Sequence, residues 1–213
     1  MGSALAEGLL KGSVFKPEEI VIANPHQEKL KKFAQFGVQT TTDNCAAVKG
    51  AQLVAIVVKP WLVEQVINEI KGVLDYQQQT IMNMAAAISS DTLFSWLEKD
   101  GKKPALFQVI PNIAIAYKAS MTFIVPCRAS EEQTAFVKSL FDDMGKSLIT
   151  DEAHLAAGTT LASCGIAYAM RYVRAAAEGG VELGFKADVA TDVVLQTLQG
   201  AVSLLQDTGM HPE

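Results

Sequence analysis

The feature of this sequence that most constrains its fold is the alternation of short apolar segments with amphipathic ones over the first 150 residues. The apolar segments predict strands at residues 20–23, 38–40, 53–58, 80–84, 106–110, 121–125 and 147–149. The amphipathic segments predict helices at residues 25–36, 45–49, 61–74, 92–99 and 131–144. Short apolar strands separated by helices favour parallel crossovers, so we predict an α/β fold with a doubly wound, Rossmann-like sheet.

The pattern changes at residue 151, after which only helices are predicted, at residues 154–182 and 188–206. We therefore expect two domains, an α/β dinucleotide-binding domain at residues 1–150 and a helical domain at residues 151–213. A stripe of small residues in the first long helix allows another helix to approach closely; its members are Gly158, Ala162, Gly165 and Ala169. Because only 19% of the residues are charged, we also expect a surface for self-association.

Composition and charge argue against several classes of partner. The net charge is −5 with no basic run, which gives no support for nucleic-acid binding. Residues 155–170 are uncharged, but a membrane span needs about 20 apolar residues, so no membrane segment is predicted. Three cysteines without a CxxC pair or a signal peptide are typical of reduced thiols in a cytoplasmic protein. Three scattered histidines predict no metal site.

The candidate binding residues lie where predicted strands end. They are Asn44, Val57, Lys59, Pro60, Met84, Ala85, Ala86 and Asn112. The carboxyl ends of parallel strands share one edge of a sheet, which is where open α/β sheets bind nucleotides. Each residue alone has a structural alternative, namely a helix cap, a helix start or a tight packing position. Their common placement at one edge favours a cofactor site.

The residues after the second-strand position indicate which nucleotide is bound. In dinucleotide-binding sheets an acidic residue there hydrogen-bonds the ribose 2′-hydroxyl and selects NAD. Here residues 20–23 run into Asn24, Pro25 and His26, with no acid at the tip, which favours NADP. The alternative is that Asn24 and Pro25 only form a turn and a helix start. No nucleophilic triad, carboxylate pair or metal motif is present in the sequence. This absence suits hydride transfer and leaves the catalytic residue unknown.

In this order, the motifs resemble those of the pyrroline-5-carboxylate reductases. Residues 1–9 resemble the end of the family's GxGxMGxAL glycine turn, and residues 50–60, GAQLVAIVVKP, are similar to its ADVVILAVKP strand. Residues 83–88 resemble SxAAGI, with alanine at the glycine position, and residues 109–112 match VMPN with isoleucine for methionine. Further along, residues 160–168 resemble ALSGSGPAY, residues 183–186 resemble GL(P)R, and residues 207–212 match ETGxHP.

The resemblance implies a Rossmann domain followed by a helical domain that builds a homodimer or a higher homo-oligomer. It implies NADPH as cofactor, with NADH possible, and a cyclic imino acid as the small-molecule substrate, reduced to proline at the end of proline biosynthesis. Gly2 and Ser3 would lie near the pyrophosphate and Asn24 near the adenosine 2′-phosphate. The eight strand-end residues would line the cofactor, with Asn112 at its nicotinamide end.

The sequence also departs from the family pattern. We expect the first strand and two leading glycines of the turn to be missing, together with the C-terminal SPGGTTI segment. Residues 162–168, ASCGIAY, and residues 112–114, NIA, replace family segments that carry a proline. Two alternatives therefore stay open: a related NADP-dependent oxidoreductase of an imine or small acid, and a non-catalytic paralogue that dimerises.

Overall fold

The structure, a computed structural model, describes residues 1–212, and these form two compact units. The first unit, Met1–Ser163, contains the strands β1 (Val21–Ala23), β2 (Gln39–Thr41), β3 (Leu53–Ile56), β4 (Thr80–Asn83), β5 (Ala105–Ile110), β6 (Ser120–Cys127) and β7 (Gly145–Ile149). Its α-helices are α1 (Gly2–Lys11), α2 (Gln27–Ala34), α3 (Asn44–Val48), α4 (Val63–Ile70), α5 (Ser90–Leu97), α6 (Glu131–Asp142) and α7 (Glu152–Gly158). Short 3-10 helices cover Pro17–Glu19, Pro60–Leu62, Lys71–Val73 and Ile113–Tyr117.

The strands form two sheets, and the predicted α/β class is confirmed. β1 and β2 pair in parallel, and the larger sheet has the order β3-β4-β5-β6-β7. All neighbours in the larger sheet are parallel except β5 and β6, which are antiparallel. This pair differs from the parallel crossovers that the sequence pattern favours. A parallel connection needs about a dozen residues and usually a full helix, whereas Ile113–Tyr117 forms only a short 3-10 helix between these strands.

Helix α1 packs against both sheets through different side chains. Leu5 lies in a buried cluster with Met82 and Phe107 of the larger sheet. Ala6, the next residue along the helix, belongs to a cluster with Ile20 and Phe33 beside the smaller sheet. The side chains of neighbouring residues in a helix point in different directions, so one helix can pack into two hydrophobic clusters. This packing fixes the N-terminus of α1 relative to the strand ends.

Side-chain caps start several of the helices. Asp43 accepts hydrogen bonds from the first-turn amides of α3, Ser89 from the Thr92 amide of α5, and Asp151 from the His154 amide of α7. At α6, Ser130 and Gln133 form a capping box. Such caps satisfy amide groups that have no partner inside the helix.

The predicted helix at residues 154–182 is divided into three segments in the structure. α7 ends at Gly158, a π-helical segment follows at Thr159–Cys164, and α8 (Gly165–Glu182) continues from there. A π-helical segment shifts the register of side chains, so the predicted small-residue stripe does not stay on one face. Gly158 is buried, and an added Cβ would lie 2.7 Å from the Phe123 ring, so its small size serves packing against β6.

The second unit begins at Cys164 and is built from α8 and α9 (Ala187–Thr208). Gly184 lies in the turn between them with φ +103°, a left-handed conformation that glycine adopts without strain. Gly180 of α8 approaches α9 closely, because a Cβ there would lie 3.0 Å from the Ala190 Cβ. Of the described residues in α8 and α9, Ala190 alone is buried. Among residues 1–212, the structure contains no helix with the length and hydropathy needed to span a bilayer.

Candidate cofactor site

The candidate site lies at the carboxyl edge of β3, β4 and β5. Ile56 pairs with Asn83, which pairs with Gln108, so β3 and β4 end side by side while β5 continues to Ile110. The Met84 amide donates to the Ile56 carbonyl at 3.0 Å and extends the pairing beyond the end of β4. Val57 and Met84 therefore follow adjacent strands at one edge, as the sequence analysis expects for a nucleotide crevice.

The N-terminus of α1 lies beside this edge. A Cβ added to Gly2 would be 3.8 Å from both the Cγ1 atom and the carbonyl oxygen of Val57. The first turn, which includes Gly2 and Ser3, contains no acidic residue, and no side chain caps it. Its free amides and the positive end of the helix dipole therefore suit a phosphate group.

Asn24 follows β1 and is half-buried. Its backbone amide donates to the Thr41 carbonyl at 3.1 Å, and its Oδ1 accepts from the His26 amide at 2.9 Å. The second hydrogen bond, from the His26 amide to Asn24 Oδ1, forms the turn that is the structural alternative to a binding role for Asn24. Oδ1 is thus used in the turn, while the Nδ2 group is the part of the side chain that could donate to a phosphate oxygen.

Lys59 and Pro60 form the corner after β3. Pro60 opens a 3-10 helix, and the Lys59 side chain is exposed with its Nζ 6.0 Å from the centroid of the Trp61 ring. Trp61 is itself 75% exposed and is not among the site residues predicted from the sequence. Its position in the sequence, directly after Lys59 and Pro60, is the feature that could have identified Trp61 as a candidate site residue. The corner offers one cation and one flat aromatic surface to a ligand.

Two predicted site residues use their side-chain amides within the protein. The Asn44 Nδ2 group donates to Glu69 Oε2 at 2.9 Å. Asn112 is only 7% exposed; its Oδ1 accepts from the Ala114 amide at 3.0 Å, and its Nδ2 donates to the Ala162 carbonyl at 3.3 Å. These bonds fix the residues in place and leave their amides little capacity to bind a ligand directly.

The segment after β4 carries Met84 and Ala85, both buried, and the half-buried Ala86. Ala87 follows with φ +64°, a left-handed conformation that is uncommon for alanine. The family pattern has glycine at this position, which is the residue expected for such a backbone. The Asn83 side chain, missed by the sequence analysis, bonds both the amide and the carbonyl of Ala85, at 3.3 and 2.8 Å.

One group of possible metal ligands lies within the described part of the chain, with ligand atoms of Asp43, Cys45 and Glu69 within 4.8 Å of one another. Asp43 Oδ1 already accepts from the Cys45 and Ala46 amides, and Glu69 Oε2 accepts from Asn44. Desolvation, followed by the Asp43 and Glu69 carboxylates, raises the pKa of the Cys45 thiol above its usual value. Capping and packing explain this group without an ion.

Comparison with known proteins supports the resemblance. A pyrroline-5-carboxylate reductase of Arabidopsis thaliana is 30% identical over 214 residues, which cover all of this chain and 76% of the relative. The chain belongs to the pyrroline-5-carboxylate reductase family. Pyrroline-5-carboxylate reductase 1 of Dictyostelium discoideum is also 30% identical over 225 residues, and the chain spans 40% of its length. Pyrroline-5-carboxylate reductase 2 of Bacillus subtilis is 28% identical, with 76% of it covered.

Family models and solved structures agree with this assignment to the pyrroline-5-carboxylate reductase family. Residues 152–213 match the model described as pyrroline-5-carboxylate reductase dimerisation, and residues 1–87 match NADP oxidoreductase, coenzyme F420-dependent. The structure of 1-pyrroline-5-carboxylate reductase from Streptococcus pyogenes is 27% identical, with a TM-score of 0.85 over all of this chain and 78% of that one. The Plasmodium falciparum pyrroline carboxylate reductase, solved with NADP bound, has a TM-score of 0.90 at 19% identity, over all of this chain and 77% of that one. The latter likeness concerns the fold.

Proposed function

We propose that this protein reduces 1-pyrroline-5-carboxylate to proline with NADPH, the last step of proline biosynthesis. The observation that carries the proposal is the match of the whole chain to the Arabidopsis reductase at 30% identity. The free amides at the start of α1, beside Val57, support a nucleotide at the same edge. A cytoplasmic location, expected from the cysteine pattern, is part of the proposal, as is a domain boundary near residue 150.

The roles of the site residues follow from their positions. NADPH, when bound, supplies a hydride to an electrophilic carbon. The amides of Gly2 and Ser3 bind the pyrophosphate, and the Asn24 Nδ2 group donates to the 2′-phosphate. Lys59 adds positive charge beside these anionic groups. We assign no proton donor within the chain.

The apolar and buried residues of the site orient the cofactor. Val57, Pro60 and Ala86 offer partly exposed apolar surface against which its rings can lie, and the buried Met84 and Ala85 complete the lining of the site. Asn112 holds the end of β5 through its bonds to Ala114 and Ala162, and we place it at the nicotinamide end. Asn44 fixes the start of α3 against Glu69 and borders the site.

Replacing Lys59 with alanine tests the assignment of the cofactor edge. We expect the Kd for NADPH to rise roughly fivefold, because one favourable charge interaction with phosphate contributes about 1 kcal/mol at a partly exposed site. The Tm should hardly change, since Lys59 is exposed. The matched control is Lys146→Ala on β7, an exposed lysine that forms no ion pair within residues 1–212. The measurement is a fluorescence titration with NADPH, repeated with NADH.

The same titration tests the choice of nucleotide. The wild-type protein should bind NADPH more tightly than NADH, since Asn24 stands where NAD-specific sheets carry an acid. Equal affinities for the two nucleotides would contradict the role of Asn24. A Lys59→Ala variant that loses thermal stability but keeps its affinity would make Lys59 a structural residue.

We further propose that the protein is a homodimer or larger homo-oligomer, joined through α8 and α9. These helices expose many large apolar side chains, which water disfavours unless another surface covers them. The most exposed in the two helices and in the turn between them are Tyr168, Met170, Tyr172, Leu183, Phe185, Val193, Val202 and Leu204. The match of residues 152–213 to a dimerisation family supports this. Sedimentation velocity should show a dimer or larger species at micromolar concentration, and a monomer would contradict the proposal.

A further inference from the structure

The segment at residues 84–89, here called the cofactor loop, is held in a conformation that its sequence does not favour. Ala87 has φ +64°, and a left-handed backbone costs a residue other than glycine on the order of 1 kcal/mol. A short loop keeps such a conformation only when contacts on both sides fix it. The contacts at its two ends therefore determine whether the loop is ordered before a ligand arrives.

The entry to the cofactor loop is fixed by Asn83. This residue is 1% exposed, and its side chain donates to the Ala85 carbonyl at 2.8 Å and accepts from the Ala85 amide at 3.3 Å. Asn83 therefore holds the backbone as it leaves β4. The bonds are local, within two residues, and do not reach Ala87.

The exit of the cofactor loop is fixed by Glu152, a residue distant in sequence. Its Oε1 accepts a hydrogen bond from the Ser90 backbone amide at 2.8 Å. Ser90 is the first residue of α5, so this amide has no partner inside its own helix. A carboxylate at a helix N-terminus is also favoured by the helix dipole. Glu152 thus supplies an acceptor that the loop and α5 themselves lack.

The Ser90 side chain is also fixed by contacts within the protein. Its Oγ accepts from the Gln108 Nε2 group at 2.9 Å and lies 3.2 Å from the Cys127 Sγ atom. Gln108 is 1% exposed and Ser90 is buried, so water does not replace these bonds. On the same side, Leu155 of α7 lies in a buried cluster with Ile110 against which Ala86 packs. Helix α7 therefore bonds the residue that follows the cofactor loop through Glu152, and through Leu155 it contributes to the cluster against which Ala86 packs.

We propose that Glu152 is a positioning residue for cofactor binding, which holds the cofactor loop in its binding conformation by accepting the Ser90 amide. This inference rests on the proposed function, because it takes Met84, Ala85 and Ala86 to line the cofactor. Glu152 itself does not touch the cofactor. It acts through the cofactor loop. Without Glu152 the loop would be less ordered in the free protein, so part of the free energy of NADPH binding would be used to order it, and the affinity for NADPH should fall.

The test compares the wild-type protein with Glu152→Ala and Glu152→Gln. Hydrogen–deuterium exchange of the peptide that contains residues 84–90 should accelerate roughly tenfold in Glu152→Ala, because the partly buried Ser90 amide loses its charged acceptor. The Kd for NADPH should rise about fivefold in the same variant. Glu152→Gln keeps an oxygen acceptor and should give intermediate values in both measurements. The KM for the imine should stay near the wild-type value.

The matched control is Glu131→Ala. Glu131 is the first residue of α6 and follows a capping Ser130, as Glu152 is the first residue of α7 and follows the capping Asp151. It is exposed and forms no side-chain hydrogen bond or ion pair within residues 1–212. Glu131→Ala should leave both loop exchange and NADPH affinity unchanged. If the effects came only from removing an acidic residue from the first turn of a helix, Glu131→Ala and Glu152→Ala would change loop exchange and NADPH affinity equally.

Three results would overturn the inference. Unchanged exchange at residues 84–90 in Glu152→Ala would show that Glu152 does not hold the loop. Accelerated exchange with an unchanged Kd for NADPH would show that the loop does not contribute to cofactor binding. Absence of NADPH binding by the wild-type protein would contradict the proposed function itself. This outcome is distinguishable from a failure of the role proposed for Glu152, because it is seen before any substitution is made.

Discussion

Replacing Gly145 with alanine is expected to lower the free energy of unfolding by about 3 kcal/mol or more. Gly145 is the first residue of β7 and pairs with Ser120 of β6. A Cβ at this position would lie 2.2 Å from the Ser120 carbonyl oxygen and 2.5 Å from its amide nitrogen, and the φ of +142° is one that alanine rarely adopts. Since the obstructing atoms are backbone, relief would require the two strands to separate.

The measurement is chemical denaturation of the wild-type and variant proteins under identical conditions. Gly50→Ala is the matched control, because Gly50 also has a positive φ, +78°, but an added Cβ there would meet nothing within 4 Å. It should lose only about 1 kcal/mol, the cost of the backbone conformation alone. Equal losses in the two variants would show that the close contact between β6 and β7 contributes nothing. Ser120 also accepts from the Asn112 amide, so the damage should extend toward the candidate site.

Replacing Gly8 with alanine should destabilise the protein by about 2 kcal/mol, although alanine usually stabilises a helix relative to glycine. Gly8 lies inside α1, where a Cβ would be 2.6 Å from the Ile115 carbonyl oxygen and 3.1 Å from the Met144 Sδ atom. The helix would have to move away from residues 113–117. Because we propose that Gly2 and Ser3 of the same helix bind the cofactor, we expect NADPH affinity to fall together with stability.

The Gly8→Ala substitution is informative because the expected destabilisation is opposite in sign to the usual effect of replacing glycine with alanine inside a helix. Gly72→Ala is the control, since Gly72 lies in a 3-10 helix and an added Cβ would meet nothing within 4 Å. It should be neutral or slightly stabilising, by up to about 1 kcal/mol. If Gly8→Ala were also neutral in denaturation and in NADPH titration, the close approach of α1 to Ile115 would not determine where this helix lies.

Much of the fold could be predicted because its central strands are fully buried. Residues 80–84 and 106–110 are nearly continuous apolar runs, and the structure has strands at Thr80–Asn83 and Ala105–Ile110. Helix starts were less accurate, since α5 begins at Ser90 after its Ser89 cap, whereas the pattern indicated residue 92. The antiparallel pairing of β5 with β6 and the π-helical segment at Thr159–Cys164 have no signature in hydrophobic periodicity.

The shared edge of the strand-end residues could also be predicted, because it depends only on where parallel strands end, and their role in cofactor binding stays a prediction. The state of individual side chains could not. Periodicity does not reveal that the Asn112 amide is used by Ala114 and Ala162, or that Glu152 reaches the Ser90 amide across 62 residues of sequence. The left-handed Ala87 was indicated only by the glycine of the family pattern, since alanine itself gives no such signal.

The most direct test of the proposed function is the oxidation of NADPH by the purified protein on addition of 1-pyrroline-5-carboxylate. We expect NADPH absorbance to fall, proline to accumulate in equal amount, and NADH to support a slower reaction. A folded, oligomeric protein that binds NADPH and leaves it unoxidised in the presence of 1-pyrroline-5-carboxylate would contradict the proposed reductase activity.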